Sequence, residues 1–137
     1  TTLNSRVKSY NSALEVIRNH PVFGVGAGDL KEEMAKIWVM NYGYGKSYLP
    51  HNQFLTWLSS LGFVFTSVLT LAYISPLWSS LVRSSAVSWA ILGVIGFSFL
   101  VENTIENSYG VAIHSFFALW LIYVFSPSSH KESDQLK

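Results

Sequence analysis

His51, in the run Pro50-His51-Asn52-Gln53-Phe54-Leu55, is the side chain of this sequence best placed for proton chemistry. No Asp, Glu, Lys or Arg occurs from residue 47 to residue 82, and the stretch is rich in Leu, Val, Phe and Trp. An uncharged apolar run of that length is enough to cross a bilayer. His51 therefore stands where polar sequence ends and a candidate span begins, within reach of water and of headgroups. An imidazole titrates near neutral pH and suits a general base for a hydroxyl. The plainer alternative is an interfacial histidine bonded to loop backbone. Arg6 is the second candidate, because a guanidinium stays charged and offers paired donors to phosphate oxygens. Its plainer role is that of a solvated residue at a helix start. Lys8 and Lys46 are weaker versions of the same idea, and Arg18 suits a helix C-terminus.

Two carboxylates belong in the same discussion. Glu102 and Glu106 are one helical turn apart, close to another boundary between polar and apolar sequence. They are suited to orienting His51 or to accepting a bond from a substrate hydroxyl, and they equally fit solvated loop carboxylates. His114 lies inside an apolar segment, an unusual place for an ionisable group. It is expected to be neutral and hydrogen-bonded to a neighbouring helix.

The composition says what kind of chain must hold these groups. Of 137 residues half are apolar and only 12% charged, whereas about a quarter is usual for a soluble domain. The deficit falls in the second half, which predicts an integral membrane protein with a polar N-terminal region. A net charge of +1 and no basic stripe argue against nucleic acid as a partner. Without cysteine there are no disulfides or thiolate metal sites, and no H-E-x-x-H or close histidine pair occurs. The opening Thr1-Thr2-Leu3-Asn4-Ser5-Arg6 has no apolar core and is not a secretory signal. The chain is expected to be the C-terminal portion of a longer protein, ending in a frayed polar tail over residues 126–137.

Residues 6–19 carry Val7, Tyr10, Leu14 and Ile17 as one helical stripe, stopped by Pro21. The glycine-rich turn Val22-Phe23-Gly24-Val25-Gly26-Ala27-Gly28 follows. Asp29 is placed to cap a second helix with Glu32 as capping-box partner, and Leu30, Met34, Ile37 and Trp38 form its apolar stripe. A phosphate-loop reading of the turn fails, since Asp29 would repel an anion and neither a strand nor Gly-Lys-Ser/Thr accompanies it. A structural turn joining the two helices is the better reading.

Three hydrophobic segments come next, at about 54–77, 86–101 and 111–125, with Trp57, Trp78 and Tyr123 near their ends as interfacial aromatics. The expected architecture is an all-α membrane protein: an extracytoplasmic region (1–53) of two short helices, a transmembrane region (54–125) of about three helices, and the tail. Three crossings place Glu102 and Glu106 on the same side as His51.

In order along the chain, Arg6-Val7-Lys8-Ser9-Tyr10 with Ala13-Leu14, then His20-Pro21-Val22-Phe23-Gly24-Val25-Gly26-Ala27-Gly28, then His51-Asn52-Gln53-Phe54-Leu55 with Leu61-Gly62 are notable. Together they resemble the C-terminal part of the O-antigen ligase and O-antigen polymerase superfamily. The first is similar to its Arg-x-x-x-Trp/Tyr helix, the second to its His-Pro-x-x-Gly-x-Gly-x-Gly turn, the third to its His-Asn-x-x-Leu signature. Phe65 stands where the family often has a further glycine. The resemblance implies a multi-pass bacterial inner-membrane glycosyltransferase without metal or nucleotide cofactor, its N-terminal loop facing the periplasm. The donor it implies is an undecaprenyl-diphosphate-linked glycan, the acceptor a hydroxyl of lipid A–core or of another repeat unit. On that reading His51 is catalytic, and Arg6, Lys46, Asn52 and Glu102 bind substrate. A protein O-oligosaccharyltransferase of the same superfamily is an alternative, as is a non-catalytic membrane fragment or assembly partner.

Overall fold

The computed structural model describes residues 2–43, 48–79, 82, 84–103 and 108–124. Lys46, Arg83, Glu106 and the C-terminal tail lie outside the described residues. The helices are α1 (Thr2–Asn19), α2 (Leu30–Tyr42), α3 (Gln53–Ile74) with a 3-10 turn at Ser75–Trp78, α4 (Ala86–Val101) and α5 (Ser108–Val124). Among the described residues there is no strand, as the all-α expectation required. The chain divides into one compact unit of Thr1–Leu69 with Phe99–Asn103 and another of Thr70–Ser98 with Thr104–Lys137.

In the first unit α2 buries Leu30, Met34, Ile37 and Trp38, the stripe expected from the sequence. Full burial of such side chains stabilises by about 1.5–3 kcal/mol each. The stripe expected on α1 is corrected: Val7 and Leu14 are exposed, and the buried face is Ser9, Ser12, Ala13 and Val16. These four also lie at helical spacing, and their small volume lets α1 approach its neighbours closely. Ala13 and Val16 join the α2 core, with Val25 and Leu49 against it. The expected capping box at Asp29 does not form, since its side chain makes no cap hydrogen bond. Asp29 keeps helical dihedrals, φ −95° and ψ −11°, and Glu32 pairs with Lys36 one turn on, at 3.1 Å.

The main feature of α3 is a break. Gly62 has φ 68° and ψ −173°, outside the helical region. A continuous helix would bond the Phe63 and Val64 amides to the Ser59 and Ser60 carbonyls. Here all four groups turn to the glycine turn instead. The Val25 amide donates to Ser59 O at 3.1 Å and the Gly26 amide to Ser60 O at 2.8 Å. Phe63 N–H donates to Pro21 O at 2.8 Å and Val64 N–H to Val22 O at 3.3 Å. Two helix bonds are thus exchanged for four bonds across the turn, which avoids the cost of about 1–3 kcal/mol for each buried polar group left unpaired. The approach is so close that a Cβ on Gly62 would collide with the Val22 carbonyl and the Gly24 amide. A Cβ on Gly24, at φ 66°, would collide with the backbone of Ser60 and Gly62. The turn therefore does more than join α1 to α2.

The exposure pattern of α3 is that of a helix turned inside out. Gln53, Thr56, Ser59, Ser60 and Thr66 are buried, while Phe63, Val64, Phe65, Val68 and Leu71 are exposed. Ser59 Oγ and Ser60 Oγ donate back to Leu55 O and Thr56 O, both at 2.7 Å, so the buried hydroxyls are satisfied within the helix. Apolar side chains facing outward from a small, polar inner face suit lipid rather than water. Among the described residues one helical stretch, Gln53–Trp78 with mean hydropathy 1.7, is long and apolar enough to cross a membrane. α4 and α5 have 16 and 17 residues, below the roughly 20 of a typical span.

The Trp57 ring packs edge-on to Phe54 and Phe99 at 5.9 and 5.5 Å. Trp78 and Tyr123 are exposed. In the second unit Ile95 and Leu121 are buried and α5 touches the 3-10 turn. His114 Nδ1 lies 2.6 Å from Gly110 O, one turn back on its own helix.

Gly24 and Gly28 of the turn and Gly62 of α3 should separate cleanly by substitution. Gly62→Ala and Gly24→Ala should each lower unfolding stability by about 2–5 kcal/mol, combining strained backbone with overpacking. Gly28→Ala, where an added Cβ meets nothing within 4 Å, should be close to neutral. Thermal unfolding of the three variants in detergent is the check, and equal losses would refute the interlock.

Candidate functional site

A set of local contacts holds His51 in the first unit. Pro50 before it is fully buried. Tyr10 of α1 donates its hydroxyl to His51 O at 3.1 Å. From the adjacent position on α1, Ser9 Oγ donates to Tyr48 O at 2.8 Å, so α1 grips the incoming segment at two points. After His51, Asn52 caps α3, its Oδ1 accepting the Leu55 amide at 3.0 Å. The other half of the same amide, Nδ2, donates to Leu100 O at 3.2 Å, near the end of α4. Thr56 Oγ1 lies 3.1 Å from Asn103 Oδ1, a second tie between the same two segments. The aromatic cluster of Phe54, Trp57 and Phe99 packs beside these bonds.

This arrangement brings Glu102 against His51, with Glu102 Oε1 2.7 Å from His51 Nδ1. The His51 hydrogen bond holds the Glu102 carboxyl below its ordinary pKa. Burial opposes that shift, while the charges of His51 and Arg6 and the Asn103 amide reinforce it. A carboxylate kept ionised can only accept hydrogen bonds, so Nδ1 carries the hydrogen of this contact. In the neutral imidazole that leaves the Nε2 lone pair free. The two side chains are 39% and 51% exposed, open enough for a substrate group to reach the ring.

Of the residues singled out in the sequence, Arg6, His51, Asn52 and Glu102 fall in one neighbourhood. Arg6 is exposed one helical turn before Tyr10 and is near enough to act on the charge of Glu102. Both halves of the Asn52 amide are engaged within the chain. Lys8 lies over the Tyr42 ring at 4.8 Å. Lys46 falls outside the described residues, and His114 belongs to the second unit. Tyr10, Thr56 and Asn103 are supports that sequence reasoning did not single out for the site. The spacing of Arg6 and Tyr10, one turn apart, was a signal available for Tyr10. Nothing in the sequence marked the bond between Thr56 and Asn103. Among the described residues, no group of three or more His, Asp or Glu side chains is arranged to hold a metal ion.

Comparison with known proteins gives one family and no individual relative. No curated protein and no solved structure gives a significant match. The family described as O-Antigen ligase matches residues 1–70, a stretch that holds α1, the glycine turn, His51 and the break at Gly62. That is just over half of the chain, so this protein belongs to the O-antigen ligase family.

Proposed function

We propose that the chain carries part of the active site of a membrane glycosyltransferase of surface polysaccharide biosynthesis. In this reading it moves a glycan from undecaprenyl diphosphate to an acceptor hydroxyl of lipid A–core or of another polysaccharide repeat. The observation that carries the proposal is the 2.7 Å contact of Glu102 with His51 Nδ1, because it turns a lone histidine into an oriented base. Family membership supports this choice of substrate classes, and the enzyme is read as sitting in the bacterial inner membrane with residues 1–53 toward the periplasm.

The acceptor hydroxyl approaches Nε2 of His51 and gives up its proton as its oxygen attacks the anomeric carbon. The bond from that carbon to the diphosphate breaks, and undecaprenyl diphosphate leaves with the electron pair. A diphosphate is already a good leaving group, so the chief demands are alignment and charge stabilisation. Arg6 meets the second, its paired N–H donors matching phosphate oxygens. Glu102 fixes the imidazole tautomer and favours the imidazolium that forms, as a carboxylate does beside a catalytic histidine. Tyr10 and Asn52 act as positioning residues, one through the His51 carbonyl and the other by starting α3.

His51→Ala should reduce transfer by about 100- to 10,000-fold, the usual range for a lost general base. Arg6→Ala should also reduce it, and the lipid-linked donor should accumulate in both. The readout is surface polysaccharide in the host strain with each version restored, beside membrane levels of the protein. Normal polysaccharide from His51→Ala would remove the base from the mechanism.

Glu102→Gln keeps the shape and removes the charge. Because the Glu102 pKa is lowered on folding, its contribution to stability is present above the ordinary carboxylate range. That contribution is lost as pH falls through the lowered value. The melting temperature of the native protein should therefore exceed that of Glu102→Gln at pH 7, and the two should converge in acid. A difference that stays constant with pH would show that the contact does not depend on the carboxylate charge.

A further inference from the structure

The glycine turn has an apolar tip to which the mechanism gives no role. We propose that Val22 and Phe23 enter the hydrocarbon layer, so that the turn over residues 20–26 is a re-entrant, lipid-contacting part of the membrane region. The inference rests on the reading of α3 as a membrane span, and it assigns the tip one partner, the acyl chains of the bilayer.

Several observations carry it. From residue 19 to residue 28 there is no Asp, Glu, Lys or Arg. Val22 and Phe23 are nevertheless exposed, Phe23 at 66%. Their surface continues onto α3: the Phe23 ring lies 6.3 Å from that of Phe65, beside the exposed Phe63 and Val64. The tip is also held at the depth of Gly62 by the bonds from Phe63 N–H to Pro21 O and from Val64 N–H to Val22 O.

Length then decides where that depth lies. The stretch able to cross the membrane ends at Trp78, an exposed aromatic of the kind found at interfaces. From Phe63 to Trp78 the chain is helical to Ile74 and then a 3-10 turn. At about 1.5 and 2.0 Å per residue this covers roughly 26 Å. A hydrocarbon core is about 30 Å thick, so residues before Gly62 must complete the crossing, and the break lies below the hydrocarbon surface. Broken helical backbone is tolerated there only when protein satisfies it. The four bonds of the turn do so, and the side chains that come down with them are a valine and a phenylalanine.

The chain has no native cysteine, so single-cysteine variants can each carry one spin label. Val22→Cys and Phe23→Cys report the tip, Val68→Cys reports the α3 span, and Lys36→Cys, beside Glu32 and Glu33, reports water. The labelled full chain is reconstituted in phosphatidylcholine vesicles, and accessibility to oxygen is compared with accessibility to a nickel chelate. Labels at 22, 23 and 68 should favour oxygen, and the label at 36 should favour nickel. Nickel-accessible labels at 22 and 23, with 68 still favouring oxygen, would overturn the proposal and leave the span intact. Labels at 22 and 23 shielded from both reagents would overturn it in favour of a protein cover. A nickel-accessible label at 68 would defeat the span reading and the proposal together.

Discussion

The contact of Gly24 with Gly62 is the constraint on which the first unit depends. Two backbones approach so closely there that neither position accepts a side-chain carbon. The contact costs α3 its continuity and returns every bond that the break releases. It also fixes the relative heights of three segments. α1 leads directly into the turn, the turn is locked to α3, and α3 begins two residues after His51. A shift of the turn would therefore carry α1, with Arg6 and Tyr10, away from the histidine.

Between the break and the histidine, residues 53–61 form a helical strut with an unusual inner face. Gln53, Thr56, Ser59 and Ser60 point inward and are satisfied by nearby backbone or side-chain groups. Small polar side chains permit the close approach of α1, whose own buried face is Ser9, Ser12, Ala13 and Val16. Bulkier apolar residues on either face would hold the helices apart and break the bond from Tyr10 to the His51 carbonyl. The apolar side chains displaced to the outside then suit lipid, so one packing choice serves both the site and the membrane.

The legibility of this arrangement in the sequence follows the kind of force involved. The α2 stripe was readable because large apolar side chains at helical spacing seek a core. The α1 face was misread for the same reason: Val7 and Leu14 carried the hydrophobic signal, while serines and an alanine did the packing. The motifs His20–Gly28 and Leu61-Gly62 were each visible, yet their contact was not, because backbone bonds leave no side-chain pattern. Glu102 was a candidate partner through an expected count of crossings alone, and nothing in the order of residues sets a 2.7 Å contact across a separation of 51 positions. The capping box at Asp29 failed because that residue keeps helical dihedrals, φ −95° and ψ −11°, where a capping side chain needs an extended backbone.

The position of Glu102 also resolves an electrostatic conflict that the proposed chemistry would otherwise face. A carboxylate is useful to the base and harmful to a departing diphosphate, since like charges repel. At about 4 Å and an effective dielectric of 20, two unit charges interact by roughly 4 kcal/mol, enough to decide which side of the ring each occupies. Glu102 takes Nδ1, which sets the width of the imidazole between it and a substrate at Nε2. Arg6 adds positive charge within the range of Glu102 from an exposed position on α1, where an incoming anion also meets it. In the proposed reaction the proton would pass to Nε2, across the ring from the carboxylate, and the phosphate charge would fall to the guanidinium. Exchanging those roles would place negative charge on negative and leave the base without its orienting partner.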